Sequence, residues 1–140
     1  MKKSDFQFVQ PYLQKLVFLE NDQFNMDTEE TEEIEMHNTF SLQVNKSTEE
    51  PLAIVTLNFE MNKDEKKAPF KIEASISSLF RWQIMNDEQV DRMLRINAPA
   101  MLLSYLRPII SQITNSSKFP VYDLPFLNFA DEQINIKNES

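Results

Sequence analysis

The stretch from Asn97 to Phe129, NAPAMLLSYLRPIISQITNSSKFPVYDLPFLNF, decides the fold predicted for this chain. Between Leu102 and Ile113 its apolar side chains recur at three- and four-residue spacing, which is typical of one face of an α-helix. Asn97 is a good N-cap for this helix, and Pro99 lies in its first turn, where a missing N–H is tolerated. A Phe-Pro connection and a short apolar run that ends in Asn-Phe follow. We therefore expect a long helix that is continued by an extended apolar segment.

Four stretches in the front half of the chain alternate between apolar and polar side chains, a pattern that indicates half-buried β-strands. They span residues 5–20, 38–45, 52–61 and 70–80. Short polar turns join the last three, so we expect an antiparallel meander with one buried face. Pro11 removes a main-chain donor from the first strand, which predicts an edge strand or a bulge there. The predicted fold class is α+β: a four-stranded antiparallel sheet with a long crossover loop after strand 1, followed by a long C-terminal helix packed on the sheet.

A single domain of residues 1–130 accommodates this plan, and we expect the polar tail at 131–140 to be disordered. The crossover loop at 21–37 is rich in Asp and Glu and has no Lys or Arg, which is typical of a solvated loop. Its carboxylates lack the alternating ligands and the central Gly of a calcium loop, so they do not favour a specific metal site.

The composition excludes several classes of function. The chain has no Gly and no Cys. Phosphate-cradling loops, dinucleotide fingerprints and nucleophile elbows need Gly, and thiolate or disulfide chemistry needs Cys. A net charge of −8 disfavours nucleic acid and anionic membranes as partners. The single histidine, His37, is a weak candidate for a pH sensor or a ligand. We therefore expect no catalytic residues, no metal and no cofactor, and so no enzyme.

The sequence starts MKKSDFQFVQ, where polar residues stand in place of the apolar region of a secretory signal. No stretch approaches the about 18 uninterrupted apolar residues of a membrane-spanning helix. These observations predict a cytoplasmic protein without membrane insertion.

The chain carries more apolar side chains than one sheet face and one helix need. The first strand is apolar on both sides, with Phe6 and Leu16 on one and Val9 and Leu13 on the other, and Tyr105 widens the apolar arc of the helix. Surplus apolar area on a charged protein indicates contacts with other chains. These contacts are either a homo-oligomer interface alone or such an interface together with an exposed groove for other polypeptides.

In its order of elements and in several short motifs the chain resembles the SecB family of export chaperones. The likeness covers nearly the whole chain. It is closest at the motifs MLLSYLR (101–107), ISQIT (110–114), FP (119–120) and LPFLNF (124–129). Phe6-Gln7, Tyr12 and Phe18 also fit the first-strand pattern of the family.

The resemblance implies a chaperone, or holdase, that binds unfolded or preprotein chains in apolar grooves. Such a chaperone keeps its clients translocation-competent for export and passes them to the translocase motor SecA. The resemblance also implies a homotetramer built as a dimer of dimers. Some SecB-like proteins instead serve one partner such as an antitoxin, and this is the alternative function. A carrier of a small apolar ligand is a third hypothesis.

Carried over position by position, the resemblance assigns client binding to Met36, Phe40, Leu42 and Val44. It assigns the oligomer interface to seven residues of the first strand and the helix: Phe6, Phe8, Tyr12, Met101, Tyr105, Ile109 and Gln112.

SecA docking in the family uses an acidic patch on the sheet, of which Glu73 is kept. Lys15 and Leu19 stand where the family has acidic residues, and Lys71 replaces an apolar one. Ser77-Ser78 replaces a glycine pair, and little chain follows the Asn-Phe motif, so the second helix that lids the family's groove is short or absent. These departures bear on SecA docking more than on the holding of clients.

Overall fold

The computed structural model describes residues 6–24 and 36–130 and, for the backbone alone, residues 135–139. The remaining residues, which include most of the predicted acidic loop, lie outside this description. Six strands form one sheet in the described residues: β1 (Phe6–Phe8), β2 (Tyr12–Glu20), β3 (Asn38–Lys46), β4 (Leu52–Met61), β5 (Phe70–Trp82) and β6 (Asn135–Glu139).

The sheet contains the predicted antiparallel meander, formed by β3, β4 and β5. Both β1 and β2 pair antiparallel with β5, and the order across the sheet is β1 and β2, then β5, β4, β3 and β6. The predicted α+β class is confirmed. The sequence predicts four strands where the described residues form six. One reason is that the first predicted strand is divided around Pro11.

The other additional strand, β6, lies in the tail that the sequence predicts to be disordered. It pairs in parallel with β3, so the expectation of disorder does not hold for Asn135–Glu139. The segment is polar and has no alternation of its own. Its strand conformation is set by a distant partner, which local pattern cannot reveal.

The first strand forms an edge of the sheet and carries a bulge, as Pro11 predicts. Among the described residues β1 and β2 have no strand partner other than β5, and the register of β2 with β5 shifts between Leu13 and Lys15. Because one extra residue is inserted at the shift, Leu13 and Leu16 both face the helix side of the sheet, although their numbers differ in parity.

Helical structure continues through three segments: α1 (Asp87–Arg92), a π-helical turn (Met93–Asn97) and α2 (Ala98–Asn115). The prediction that Asn97 caps a separate helix is wrong. Its φ of −75° and ψ of −42° are helical, and its side chain makes no capping hydrogen bond. Ala98 N donates to Met93 O instead, which is the wider bond of a π-turn. Because Pro99 has no N–H to contribute to the α-helical ladder, widening the helix here loses little hydrogen bonding.

The core lies between α2 and one face of the sheet. Leu42, Leu57 and Ile76 lie opposite one another on adjacent strands, and all three are buried. From α2, Leu106 and Ile110 complete this layer and are also fully buried. Even-numbered residues of β3 and β5 and odd-numbered residues of β4 therefore share the buried face.

The helix is narrower than the sheet. Together with its side chains a helix is about 10–12 Å across, and strands are about 4.8 Å apart, so one helix covers about two strands. α2 packs on the central strands β4 and β5. The apolar face of β3 on one side, and that of β1 and β2 on the other, must be covered by something else.

On the β3 side the cover is the extended segment 116–130, here called the covering segment. Tyr122 Oη accepts a hydrogen bond of 2.8 Å from Asn38 Nδ2 at the start of β3. Arg107 Nε of α2 donates to Leu124 O at 2.6 Å, and Leu124 is fully buried. The covering segment thus returns along α2 and lies beside β3.

Two asparagines fix the ends of the crossover loop to the turn between β4 and β5. Asn21 Nδ2 donates to Ala68 O at 2.7 Å. Asn62 Oδ1 accepts from His37 N at 3.0 Å, and its Nδ2 donates to Phe70 O at 3.0 Å. Asn62 is buried and has a φ of 59°, a left-handed conformation that Asn tolerates better than most residues. A chain without Gly uses Asn at this position.

Replacing Asn62 tests this anchor. Asn62→Ala should lower the free energy of unfolding by about 2–4 kcal/mol, because it removes the hydrogen bonds of a buried amide and places Ala in a left-handed conformation. Asn62→Gly should lose less, since Gly adopts the conformation freely. Urea denaturation followed by circular dichroism measures both. Asn115→Ala, at an exposed helix end, is the control, and a loss for Asn62→Ala no larger than the control's would contradict the role of the anchor.

Candidate functional site

The exposed apolar surface is concentrated on the edge of the sheet formed by β1 and β2. Of the eleven strongly exposed large apolar side chains in the described residues, six lie on or between these strands: Phe8, Val9, Tyr12, Leu13, Leu16 and Leu19. Single exposed apolar residues are common, but a cluster of this kind marks a contact surface. We call these six residues the edge patch.

The edge patch is accompanied by unpaired main chain. In the described residues β2 has a strand partner only on its β5 side. An edge that offers free N–H and C=O groups together with apolar side chains is suited to pairing with another chain. The helix α2 makes its main sheet contacts with β4 and β5 and not with this edge.

Most of the residues predicted for the oligomer interface lie on the helix side of the sheet. Phe6 stacks on Phe80 with ring centroids 5.4 Å apart and is half-buried, whereas Phe8 is exposed. On α2, Tyr105 and Gln112 are exposed, and Met101 and Ile109 are half-buried. The helical positions are spaced by three and four residues, so they share one face of α2.

Tyr12 is placed differently from the other predicted interface residues. It lies opposite Ser77, on the sheet face that points away from α2. The structure therefore brings together six of the seven predicted positions on the helix side and leaves Tyr12 on the reverse side.

The predicted client-binding residues form one row that is covered in this structure. Phe40, Leu42 and Val44 share the helix-facing side of β3, as their alternation predicts. Phe40 is half-buried against Phe59, with 5.1 Å between ring centroids, but Leu42 and Val44 are 1% and 5% exposed. Met36 lies just before β3 and accepts a hydrogen bond from Asn62 Nδ2. Leu42 and Val44 are therefore not accessible on the surface of this structure.

Glu73, the residue predicted for SecA docking, forms an ion pair on the opposite sheet face. Lys15 Nζ lies 2.7 Å from its carboxylate, and both side chains are partly exposed. The hydrogen bond and the charge of Lys15 lower the pKa of Glu73, and the carboxylate raises the pKa of Lys15. Glu60 lies opposite Glu73 on β4 and pairs with Lys63 at 3.4 Å. This face has mixed charge and is not an acidic patch.

Two exposed side chains had no signal in the sequence pattern. Ile84 and Phe126 are the most exposed large apolar residues of the described part, at 92% and 73%. The guanidinium of Arg107 lies 3.7 Å from the centre of the Phe126 ring, a cation–π contact. Because Arg107 also binds Leu124 O, one side chain holds two points of the covering segment.

The remaining candidates offer no reactive arrangement. His37 lies 3.8 Å from Glu65, and both are exposed. In the ranges that the structure describes, no group of three or more His, Asp or Glu is placed to hold a metal ion. Over the same ranges, no helix has the length and apolarity required to cross a membrane.

The exposed apolar edge at β1 and β2 is suited to contacts with other polypeptide chains. Residues 1–134 match the family described as "Preprotein translocase subunit SecB". The chain belongs to the SecB family, which is a family of chaperones and not of enzymes.

Individual relatives agree with this assignment. The protein-export protein SecB of Chromohalobacter salexigens is 34% identical over 92 residues, which make up 66% of this chain and 56% of that protein. The chain therefore matches little more than half the length of this relative. An uncharacterized protein of Methanocaldococcus jannaschii is 26% identical over 112 residues, or 78% of this chain and 72% of that protein.

Among solved structures, the Mycobacterium tuberculosis SecB-like chaperone Rv1957, in complex with a ChAD peptide from the HigA1 antitoxin, has the same fold. The TM-score is 0.68 at 11% identity, and the match covers 89% of this chain and 88% of that one.

The ion pair between Lys15 and Glu73 predicts that replacing Lys15 changes the pKa of Glu73. Because the pKa of Glu73 is lowered in the folded state, the pair stabilises the fold above the unfolded-state pKa, and this contribution is lost as pH falls through the folded-state pKa. Lys15→Gln should move the pKa of Glu73 upward, as measured by NMR of the side-chain carboxyl carbon. Lys71→Gln is the control and should produce a smaller shift, since Lys71 acts on Glu73 only through its charge. Equal shifts of the Glu73 pKa in the two variants would refute the conclusion that Lys15 is the main cause of its lowering.

Proposed function

We propose that this protein is an ATP-independent holdase that binds unfolded or preprotein chains in the cytoplasm and keeps them competent for export. Membership in the SecB family supports a chaperone role. The observation that carries the finer proposal is the cover over β3. The apolar row Phe40, Leu42 and Val44 belongs to the strand whose first residue, Asn38, is hydrogen-bonded to the covering segment, and that segment forms neither helix nor strand.

An extended cover is chemically similar to an unfolded client. The covering segment contributes three buried apolar side chains, Phe119, Leu124 and Phe129. Complete burial of one such side chain is worth about 1.5–3 kcal/mol. A client segment that supplies similar side chains regains much of what the displaced segment loses, so the exchange is close to balanced. Apolar contacts of this kind are also tolerant of client sequence.

We further propose that the edge patch and the exposed face of α2 are covered by a second copy of the chain. Leu13, Leu16 and Tyr105 are 41%, 37% and 41% exposed, and they lie on the same side of the sheet as α2. Burying them in a symmetric dimer removes the surplus apolar area, and the resemblance to SecB extends this dimer to a tetramer.

The alternative function is service to one dedicated partner, such as an antitoxin segment, without delivery to SecA. Two observations favour it. The mycobacterial structure with the same fold holds an antitoxin peptide, and the ion pair with Lys15 neutralises Glu73, where the family uses acidic residues to dock SecA. Capture of a single polypeptide species from the native host would support this alternative, and capture of a broad mixture would support general holding.

The holdase proposal predicts suppression of aggregation. The protein should slow light scattering by a chemically unfolded test protein, diluted from denaturant, at near-stoichiometric ratio. Phe40→Ala should weaken this effect several-fold, because Phe40 is the accessible member of the β3 row. Ile84→Ala is the matched control, since Ile84 is more exposed but distant from β3 in sequence and sheet order. Absence of any effect at several-fold excess would remove the proposal.

The assembly proposal predicts a particle larger than the 16.5 kDa chain. Multi-angle light scattering at micromolar concentration should give a multiple of this mass. Leu13→Lys with Leu16→Lys should reduce it, because two charges enter the helix side of the edge patch. Ile54→Lys provides the control, as Ile54 is also an exposed apolar residue of the sheet but lies on β4, outside the edge patch. A monomeric wild-type chain would defeat the interface argument.

A further inference from the structure

The edge of β3 is occupied by the chain's own tail. Residues Asn135–Glu139 form β6 and pair in parallel with Ser41–Asn45. This part of β3 includes Leu42 and Val44, two of the residues assigned to client binding. The tail therefore lies at the sheet edge where a bound client would have to enter.

The pairing of β6 with β3 is suited to exchange. It extends over five residues, and parallel pairs are somewhat less stable per residue than antiparallel ones. The sequence of β6, NIKNE, has one apolar residue, so main-chain hydrogen bonds carry most of the pairing. A client strand with alternating apolar residues would form the same main-chain bonds and would add side-chain burial.

β3 also has unsatisfied hydrogen-bonding groups. In the part of the chain that the structure describes, two buried side-chain oxygens lack a partner, Asn38 Oδ1 and Asn45 Oδ1, and both belong to β3. Such groups are rare in native proteins, because burying a polar atom without a hydrogen-bond partner is unfavourable. A chain that pairs with β3 can supply donors to them.

We propose that the edge of β3 is a strand-addition surface for extended polypeptides with alternating apolar residues, and that residues 135–139 are an intramolecular competitor which such a polypeptide displaces. This inference rests on the proposed holdase function. The tail covers a sheet edge that would otherwise pair with strands of other chains. A polypeptide must bind this edge more favourably than β6 does, so a segment with few apolar residues does not displace the tail.

The competition has a measurable size. When a binding-competent state is only partly populated, the apparent dissociation constant rises by the inverse of that fraction. If β6 is formed about nine-tenths of the time, its removal should tighten binding about tenfold. A tethered competitor acts at an effective concentration that free tail peptide in dilute solution does not reach.

The test compares the full chain with tail variants. The probe is a fluorescein-labelled ten-residue peptide in which Leu and Val alternate with Thr and Lys, and its Kd is measured by fluorescence anisotropy. In one variant residues 131–140 are removed. In the other, Ile136→Pro is combined with Lys137→Pro. Adjacent residues point their N–H groups to opposite sides of a strand, so this pair removes at least one donor directed at β3.

The matched control replaces the same two positions with threonine, which keeps both N–H groups and favours strands. The truncated and proline variants should bind the peptide about tenfold more tightly, and the threonine control should bind like the full chain. Hydrogen exchange of the Ser41–Asn45 amides should be faster without the tail and slow again when peptide is added.

Equal affinity of all variants, in a protein that still suppresses aggregation, would overturn the competitor role and leave the holdase proposal intact. Weaker binding after removal of the tail would show that residues 131–140 belong to the binding site, which also overturns it. If no variant binds the peptide and none suppresses aggregation, both proposals fall.

Discussion

The width of a single α-helix is the constraint on which the rest of this molecule depends. α2 covers β4 and β5, and the apolar face of the sheet extends beyond it on both sides. The chain deals with the two sides differently. On the β3 side it returns an extended segment along the helix, and on the side of β1 and β2 it leaves the edge patch exposed. The proposed holding of clients and the proposed assembly both rest on this difference between the two sides.

The proposed contacts on both sides of α2 need no reactive group. On the β3 side and on the side of β1 and β2, these contacts use apolar side chains and main-chain hydrogen bonds, which most polypeptides can supply. In our proposal selectivity comes from displacement: the covering segment is bonded to the start of β3 and β6 pairs with β3, and an incoming chain binds only when it replaces them at a gain. Glu73 is paired with Lys15, so the proposed holding of clients does not depend on delivery to SecA.

Sequence patterns predicted the parts of the fold that depend on local periodicity. Alternation located β3, β4 and β5 and placed Phe40, Leu42 and Val44 on one face. It could not show what covers that face, because burial depends on a segment far along the chain. For the same reason it missed β6. The contact between Lys15 and Glu73 requires the register shift in β2, and the cap predicted at Asn97 failed because a π-turn carries the helix onward.

The crossover loop begins and ends at one place. Asn21 and Asn62 bind main-chain groups at or beside the same short turn, so the two ends of this connection are held close to one point of the scaffold. The entropy of closing a loop grows only slowly with its length. A change in the length of this connection should therefore cost the fold little.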